Sequence, residues 1–236
     1  MVMTVYEARV YYFQKFGSLR VALEKRPDEI SSEYGLHPER DVRVVTFSRL
    51  ANLLRSFELG LLNMLQMSIN PSQVDKIFTG KLDQSDIEQV VNNYATFNKL
   101  GYLYQLTQIL ESFIRPILRH IYPGNKATGS FRRAWACVHE SLKIDDDKTE
   151  FNNAIDLLYT IRNTIHNNGV YLSRRGSNKT IKFKDKEHKF IHEWPHHSAG
   201  LDTLYQITEE TINLFNFVIA HPKVASHEII PDLPQY

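Results

Sequence analysis

One cysteine in 236 residues is the sparsest feature of the chain. Cys137 cannot form an internal disulfide, and no paired-cysteine zinc knuckle is possible. It sits within Ala134-Trp135-Ala136-Cys137-Val138, an apolar helical context that predicts a packed structural thiol, not a nucleophile. An excess of either charge is missing too, with 28 Lys+Arg against 27 Asp+Glu. A nucleic-acid or membrane partner would therefore have to be held by a local patch and not by the overall field. Long apolar runs are absent: the richest, around Leu59 to Leu65, is interrupted by Asn63 and Gln66 and is too short to span a bilayer. The segment from Met1 to Gln14 has no basic start followed by an unbroken apolar stretch, so no secretory signal is expected. These absences predict a soluble cytoplasmic protein. The sequence also lacks GxxxxGK[ST], GxGxxG and GxSxG patterns. That argues against P-loop enzymes, Rossmann oxidoreductases and α/β-hydrolases. The one HExxH match, His192-Glu193-Trp194-Pro195-His196, holds a proline in an alternating segment and not a helix, which argues against a thermolysin-like protease.

What is present is apolar, aromatic and periodic. Hydrophobic residues make up 42% of the chain, with 13 Phe, 12 Tyr and 2 Trp, enough for an ordered core. Helical spacing predicts a first helix from about Thr4 to Glu24, ending before Arg26-Pro27, and a loop from Pro27 to Pro38. A second helix is predicted over Thr46 to Met67, with Leu50, Leu53, Leu54, Phe57, Leu61, Leu62 and Leu65 on its apolar face. A short helix over Ser72 to Phe78 would close at Thr79-Gly80. Asp83 or Ser85 would cap a long helix running to about His120 and stopping at Tyr122-Pro123-Gly124, with Gly101 and Pro116 as places to bend it. Ser130 to Leu142 reads as a further helix. The acidic Asp145-Asp146-Asp147 favours the start of the next one. After Gly169 the period becomes alternating: Thr180–Lys184 and His188–His192 would flank an Asp185-Lys186-Glu187 turn, with Val170-Tyr171-Leu172 as a third short strand. A final helix spans about Ala199 to Ile219 and ends at His221-Pro222. The tail from Ile229 to Tyr236 is predicted to be extended or loosely docked. The expected fold class is all-α: a helical bundle with a small β-hairpin inserted before the last helix.

Chemistry concentrates at the end of the helix that precedes the hairpin. The apolar pattern Leu157-Leu158-Tyr159-Thr160-Ile161 runs directly into Arg162-Asn163-Thr164-Ile165-His166-Asn167-Asn168-Gly169. Arg162 and His166, one helical turn apart, share a face. Arg, Asn and His together can hold a phosphate, orient a hydroxyl and move a proton near neutral pH. The same residues are also explained by capping, since a helix C-terminus favours Arg and His, and Asn168-Gly169 is a good stop.

A helical bundle whose late helix ends in Arg-Asn followed by His resembles the HEPN superfamily (higher eukaryotes and prokaryotes nucleotide-binding domain). The matching residues are Arg162, Asn163 and His166, with Asn167-Asn168-Gly169 behind them and Leu157-Leu158-Tyr159-x-Ile161 ahead. The resemblance covers about Ser85 to His221. It implies a HEPN-like core over 85–221; residues 1–80 match no family motif and are expected to continue the bundle as a helical extension, giving one domain over 1–236. The family pattern usually places four to six residues between Arg and His. This chain has three, which keeps both side chains in register on a regular helix. Catalytic relatives are metal-independent ribonucleases, often toxins or antiviral effectors, that pair two motifs across a dimer. The resemblance therefore implies RNA as substrate, a homodimer, an antitoxin partner and no cofactor. His166 would be general acid or base, Arg162 would stabilise the pentavalent phosphate, and Asn163 would orient one of them or touch the phosphate. The other expectation it leaves open is a non-catalytic module that binds nucleotide or protein.

Two further clusters bear on function. Arg174, Arg175, Lys179, Lys182, Lys184, Lys186 and Lys189 lie close to the motif in sequence. Of these, Arg174, Arg175, Lys182 and Lys184 are the candidate RNA contacts, with Lys182 and Lys184 on one hairpin face opposite Ile181 and Phe183. A lysine-protected strand edge explains the same residues, and Arg132-Arg133 is a second basic pair open to both explanations. In the series His188, His192, His196 and His197, the first three would share a face only on a helix, whereas the alternating pattern and Pro195 predict strand and turn, so no metal site is expected. Tyr11-Tyr12-Phe13 and Tyr102-x-Tyr104 are read as packing residues.

Overall fold

The structure, a computed structural model, describes residues 4–70, 74–76, 82–124, 129–144, 149–165, 167 and 169–232. Helix α1 (Val5–Tyr34) opens on a capping box between Thr4 and Glu7. It does not stop before Pro27, as the sequence predicts, but passes through it for two further turns. Pro27 removes one backbone hydrogen bond, yet the turns beyond it bury Ile30 completely. Arg26 is tied to Asn216 of the last long helix at 2.9 Å. The true stop is Gly35, which takes the left-handed conformation (φ 66) that terminates helices at little cost to glycine. Long-range packing therefore overrides the proline signal here.

Helix α2 (Val42–Ile69) begins four residues earlier than its periodicity predicts. Its β-branched opening weakens the helical pattern, but the Asp41 side chain accepts the Arg43 N–H and caps it. Leu62, expected on the apolar face, is 37% exposed. Helix α3 (Gln84–Ile121) starts at a second capping box, between Asp83 and Asp86, and runs unbroken through Gly101 and Pro116. Residues 74–76 are helical and bring Val74 against Ile87 and Val91 of α3. The rest of the predicted 72–80 element lies outside the described residues, as do Asp145, Asp146 and Asp147. Helices α4 (Phe131–Ser141) and α5 (Thr149–Ile165) precede the hairpin.

The hairpin is antiparallel, β1 (Lys179–Phe183) pairing with β2 (Lys186–Phe190), Ile181 opposite His188. Its turn is Lys184-Asp185 and not Asp185-Lys186-Glu187. Lys184 takes a positive φ of 51, which lets a two-residue connection close. Lys184 is thus a turn residue and does not share a strand face with Lys182. The expected third strand at 170–172 is only an isolated bridge, Val170 to Pro195. Helix α6 (Leu201–Ala220) follows and ends at His221, as the sequence predicts, and Pro222 then opens a short α7 (Pro222–Ala225), where its missing N–H costs nothing.

One hydrophobic cluster runs from Phe16 in α1 to Ile230 in the tail. Phe16 meets Phe57 of α2 and Tyr102 of α3 edge-on at 5.0 and 5.9 Å. Phe215 of α6 packs on Phe113 at 4.4 Å. The tail, expected to be loose, is pinned as far as residue 232. The Ile230 N–H donates to Asp41 Oδ2 (3.1 Å), and its carbonyl accepts the Val42 N–H (2.9 Å). Asp232 accepts two hydrogen bonds from the Arg49 guanidinium, at 2.8 and 2.7 Å. Residues 233–236 lie outside the described residues. Among the described residues no helix is long and apolar enough to cross a membrane.

Candidate functional site

The last turn of α5 separates the capping explanation from the chemical one. Gly169 has a positive φ of 83, and its N–H donates to the Thr164 carbonyl at 2.8 Å. The Asn167 N–H reaches the same oxygen at 2.9 Å, and its side-chain amide donates to the Asn163 carbonyl at 3.0 Å. Asn167 and Gly169 thus satisfy the end of the helix. Arg162 takes no part in that. Its guanidinium carbon lies 5.6 Å from the Tyr159 ring centre and 5.9 Å from that of Tyr104, a cation–π arrangement. Its Nε is buried without a hydrogen-bond partner. No carboxylate pairs with it among the described residues. Glu111, the nearby acid, is taken by the Tyr159 hydroxyl and by Arg115, and burial together with Glu111 raises the pKa of Tyr159. A half-buried guanidinium with open donors is suited to a planar, two-oxygen anion such as phosphate. Asn163 is exposed beside it. His166 lies outside the described residues.

A groove of about 460 Å³ lies beside this helix end, walled by Phe57 of α2, Phe97 and Tyr104 of α3, and Ile165 of α5. Phe97 is 74% and Tyr104 42% exposed, so two aromatic faces stand open to solvent. Tyr104 therefore departs from its expected packing role. Tyr102, two residues away, keeps that role, buried with its hydroxyl 2.6 Å from that of Thr208. Asn98 also lines the groove and lies across Gly60, where a Cβ would collide with its amide. Its Nδ2 is buried without a partner. The sequence held one signal for this groove: the buried stripe Tyr102, Leu103, Leu106, Leu110 leaves Tyr104 off the core face.

His196, which sequence reasoning placed only in a doubtful metal series, is anchored to the motif. Its Nε2 lies 2.6 Å from Thr164 Oγ1, and its Nδ1 accepts the Ser198 N–H at 3.2 Å. The Thr164 hydroxyl donates to the Ile161 carbonyl at 2.6 Å. Only one arrangement satisfies all three: a neutral ring with its proton on Nε2, given to Thr164. Burial lowers the pKa of His196 to about 4 and also depresses that of His188. A group that binds its proton more weakly in the fold than in the unfolded chain stabilises the fold above its unfolded pKa. That stability drains as pH falls from about 6.5 toward 4. The melting temperature of the wild type should therefore fall more steeply than that of His196→Asn between about pH 6.5 and 5. Parallel curves would remove His196 from the account. Among the described residues no group of His, Cys, Asp and Glu is placed to hold a metal ion.

The basic cluster is mostly neutralised. Lys179 pairs with Asp156 (2.6 Å), Lys184 with Glu210 (2.7 Å), Lys186 with Asp202, Lys189 loosely with Glu187 (3.9 Å), and Arg132 with Asp156. The Lys184 N–H also donates to Glu150 Oε2, fixing the hairpin turn at the N-terminal end of α5. At ~1.5 Å rise per residue, Glu150 and Arg162 are roughly 18 Å apart along the helix, so Lys184 is not brought to the motif. Arg174, Arg175 and Lys182 remain exposed, with no carboxylate partner among the described residues. The two arginines lie in the turn that leads from the end of α5 to β1. No protein-family model, curated protein or solved structure matches the chain.

Proposed function

We propose that the chain is a metal-independent endoribonuclease of HEPN type, acting as a homodimer in bacterial toxin or antiviral defence in the cytoplasm. The observation that carries this reading is the half-buried Arg162 guanidinium, which has no carboxylate partner among the described residues and lies over Tyr104 in the wall of an aromatic groove. That pairing fits a nucleotide: phosphate on the guanidinium, base against Tyr104 and Phe97. His166 takes the proton from the RNA 2′-hydroxyl or returns one to the leaving 5′-oxygen. The 2′-oxygen bonds to phosphorus as the bond to the 5′-oxygen breaks, leaving a 2′,3′-cyclic phosphate and a 5′-hydroxyl. Arg162 offsets charge growing on the phosphoryl oxygens, and Asn163 orients the phosphate or the imidazole. One histidine serves one proton transfer at a time, and a two-fold dimer supplies the second. Arg174, Arg175 and Lys182 would follow the RNA backbone. An antitoxin would act by covering the groove.

The second reading, a non-catalytic nucleotide- or protein-binding module, is favoured by the three-residue interval between Arg162 and His166. Cleavage of several RNAs by wild type and His166→Ala in excess EDTA separates the two. Loss of cleavage on substitution, with 2′,3′-cyclic phosphate ends in the wild-type products, supports the ribonuclease. A folded dimer that binds nucleotide and cuts none of them supports the module.

A further inference from the structure

On the opposite side of α3 from the aromatic groove is a cavity of about 450 Å³ between α1, α2, α3 and the start of α6. Val5, Ala8, Met64 and Leu201 form its apolar wall, and Arg9 and Lys99 place two cations in it. Arg9 makes one hydrogen bond, Nη1 to Ser68 Oγ at 2.8 Å, and Lys99 makes none among the described residues. The acid on the lining, Asp202, is engaged by Lys186 of the hairpin. Residues 1–3, 71–73 and 77–81, which flank these elements in the chain, carry no carboxylate side chain. Two partly desolvated like charges, with no ion pair of their own among the described residues and the lining acid committed to Lys186, destabilise the unliganded fold. Burial and the neighbouring Arg9 depress the pKa of Lys99, and burial depresses that of Arg9.

We propose that this cavity binds a small organic anion, with a phosphate or carboxylate held between Arg9 and Lys99 and an apolar body against Val5, Ala8, Met64 and Leu201. The volume suits a small molecule, and the charge arrangement asks for a single anionic head. The site is separate from Arg162, and the proposal does not depend on ribonuclease activity.

The arrangement makes an unusual joint demand on one substitution. Lys99→Met keeps the length and apolar stem of the side chain but removes one of the opposed charges. The melting temperature of the unliganded protein should therefore rise, while anion affinity falls by about tenfold or more, the effect of losing a hydrogen bond to a charged group. Arg9→Gln should weaken binding likewise. The probes are phenyl phosphate and phenylacetate, titrated calorimetrically and by thermal shift, with sodium chloride at matched ionic strength as control. Saturable binding of either probe by wild type, with the joint response in Lys99→Met, supports the site, and the tighter probe identifies the head group. Absence of binding by both probes at millimolar concentration overturns it. So does binding that survives both substitutions unchanged, or an unliganded Lys99→Met that unfolds earlier than wild type.

Discussion

Arg43→Met is expected to cost about 3–5 kcal/mol of folding stability, the largest single-residue effect anticipated outside the apolar core. Arg43 and Asp41 are both fully buried, 2.6 Å apart, and each side chain makes four hydrogen bonds. The Asp41 carboxylate accepts from the Arg43 backbone N–H, from Arg43 Nε and Nη2, and from the Ile230 N–H. The guanidinium also donates to the carbonyls of Val224 and His227, both at 2.9 Å. One pair thus clamps the start of α2, the end of α7 and the tail. Removing the arginine strands a buried carboxylate and leaves those two carbonyls without their donor. The cost comes from the stranded charge more than from a lost attraction, so Asp41→Asn combined with Arg43→Met should recover at least half of it, because asparagine still caps the helix. Urea denaturation of the two single variants and the double variant forms the cycle. A loss below about 1 kcal/mol for Arg43→Met, or a double variant as unstable as the sum of the singles, would show that the pair does not act as a clamp.

The parts of the fold that were legible in the sequence are those written locally. Asp83 before an acidic turn, Tyr122-Pro123-Gly124 behind a long periodic run, and Ser130 ahead of an amphipathic stretch each mark a boundary within a few residues of themselves. Pro27 and the tail depart from expectation because their outcomes depend on distant groups: Ile30 buried in the core, Asn216 on α6, and Asp41 accepting the Ile230 N–H. The site divides the same way. Arg162 and Asn163 were visible because they are adjacent on one helix. The wall of Phe97 and Tyr104, the lock of His196 on Thr164 and the opposition of Arg9 to Lys99 each join residues from separate elements. No local pattern encodes such meetings. Lys184 was grouped with Lys182 by alternation, and a turn one residue earlier, with Glu210 behind it, gave it a different partner.

Arg162→Ala is expected to lower the rate of RNA cleavage by about 10²–10³-fold while leaving the melting temperature nearly unchanged. The two halves of that expectation have one cause. A guanidinium without an ion pair among the described residues, with its Nε buried and unsatisfied, contributes little to the resting fold beyond contact with Tyr159 and Tyr104. On the proposed ribonuclease reading, its donors hold the phosphate and meet the further charge that builds as phosphorus becomes pentavalent, so the larger part of the loss belongs to kcat. Arg162→Lys should recover little of it, since an ammonium cannot span two phosphoryl oxygens as a planar fork does. Tyr104→Ala provides the contrast. A ring that stacks on a base acts in ground state and transition state alike, so its removal should raise KM by roughly 10-fold, at the lower end of measured base-stacking effects, with kcat held. Single-turnover cleavage by the three variants, alongside their thermal melts, separates these roles. If Arg162→Lys cleaves as fast as wild type, only a local positive charge is required. If Arg162→Ala melts many degrees lower, the guanidinium is a structural element of the α3–α5 contact, and the phosphate-binding role assigned to it fails.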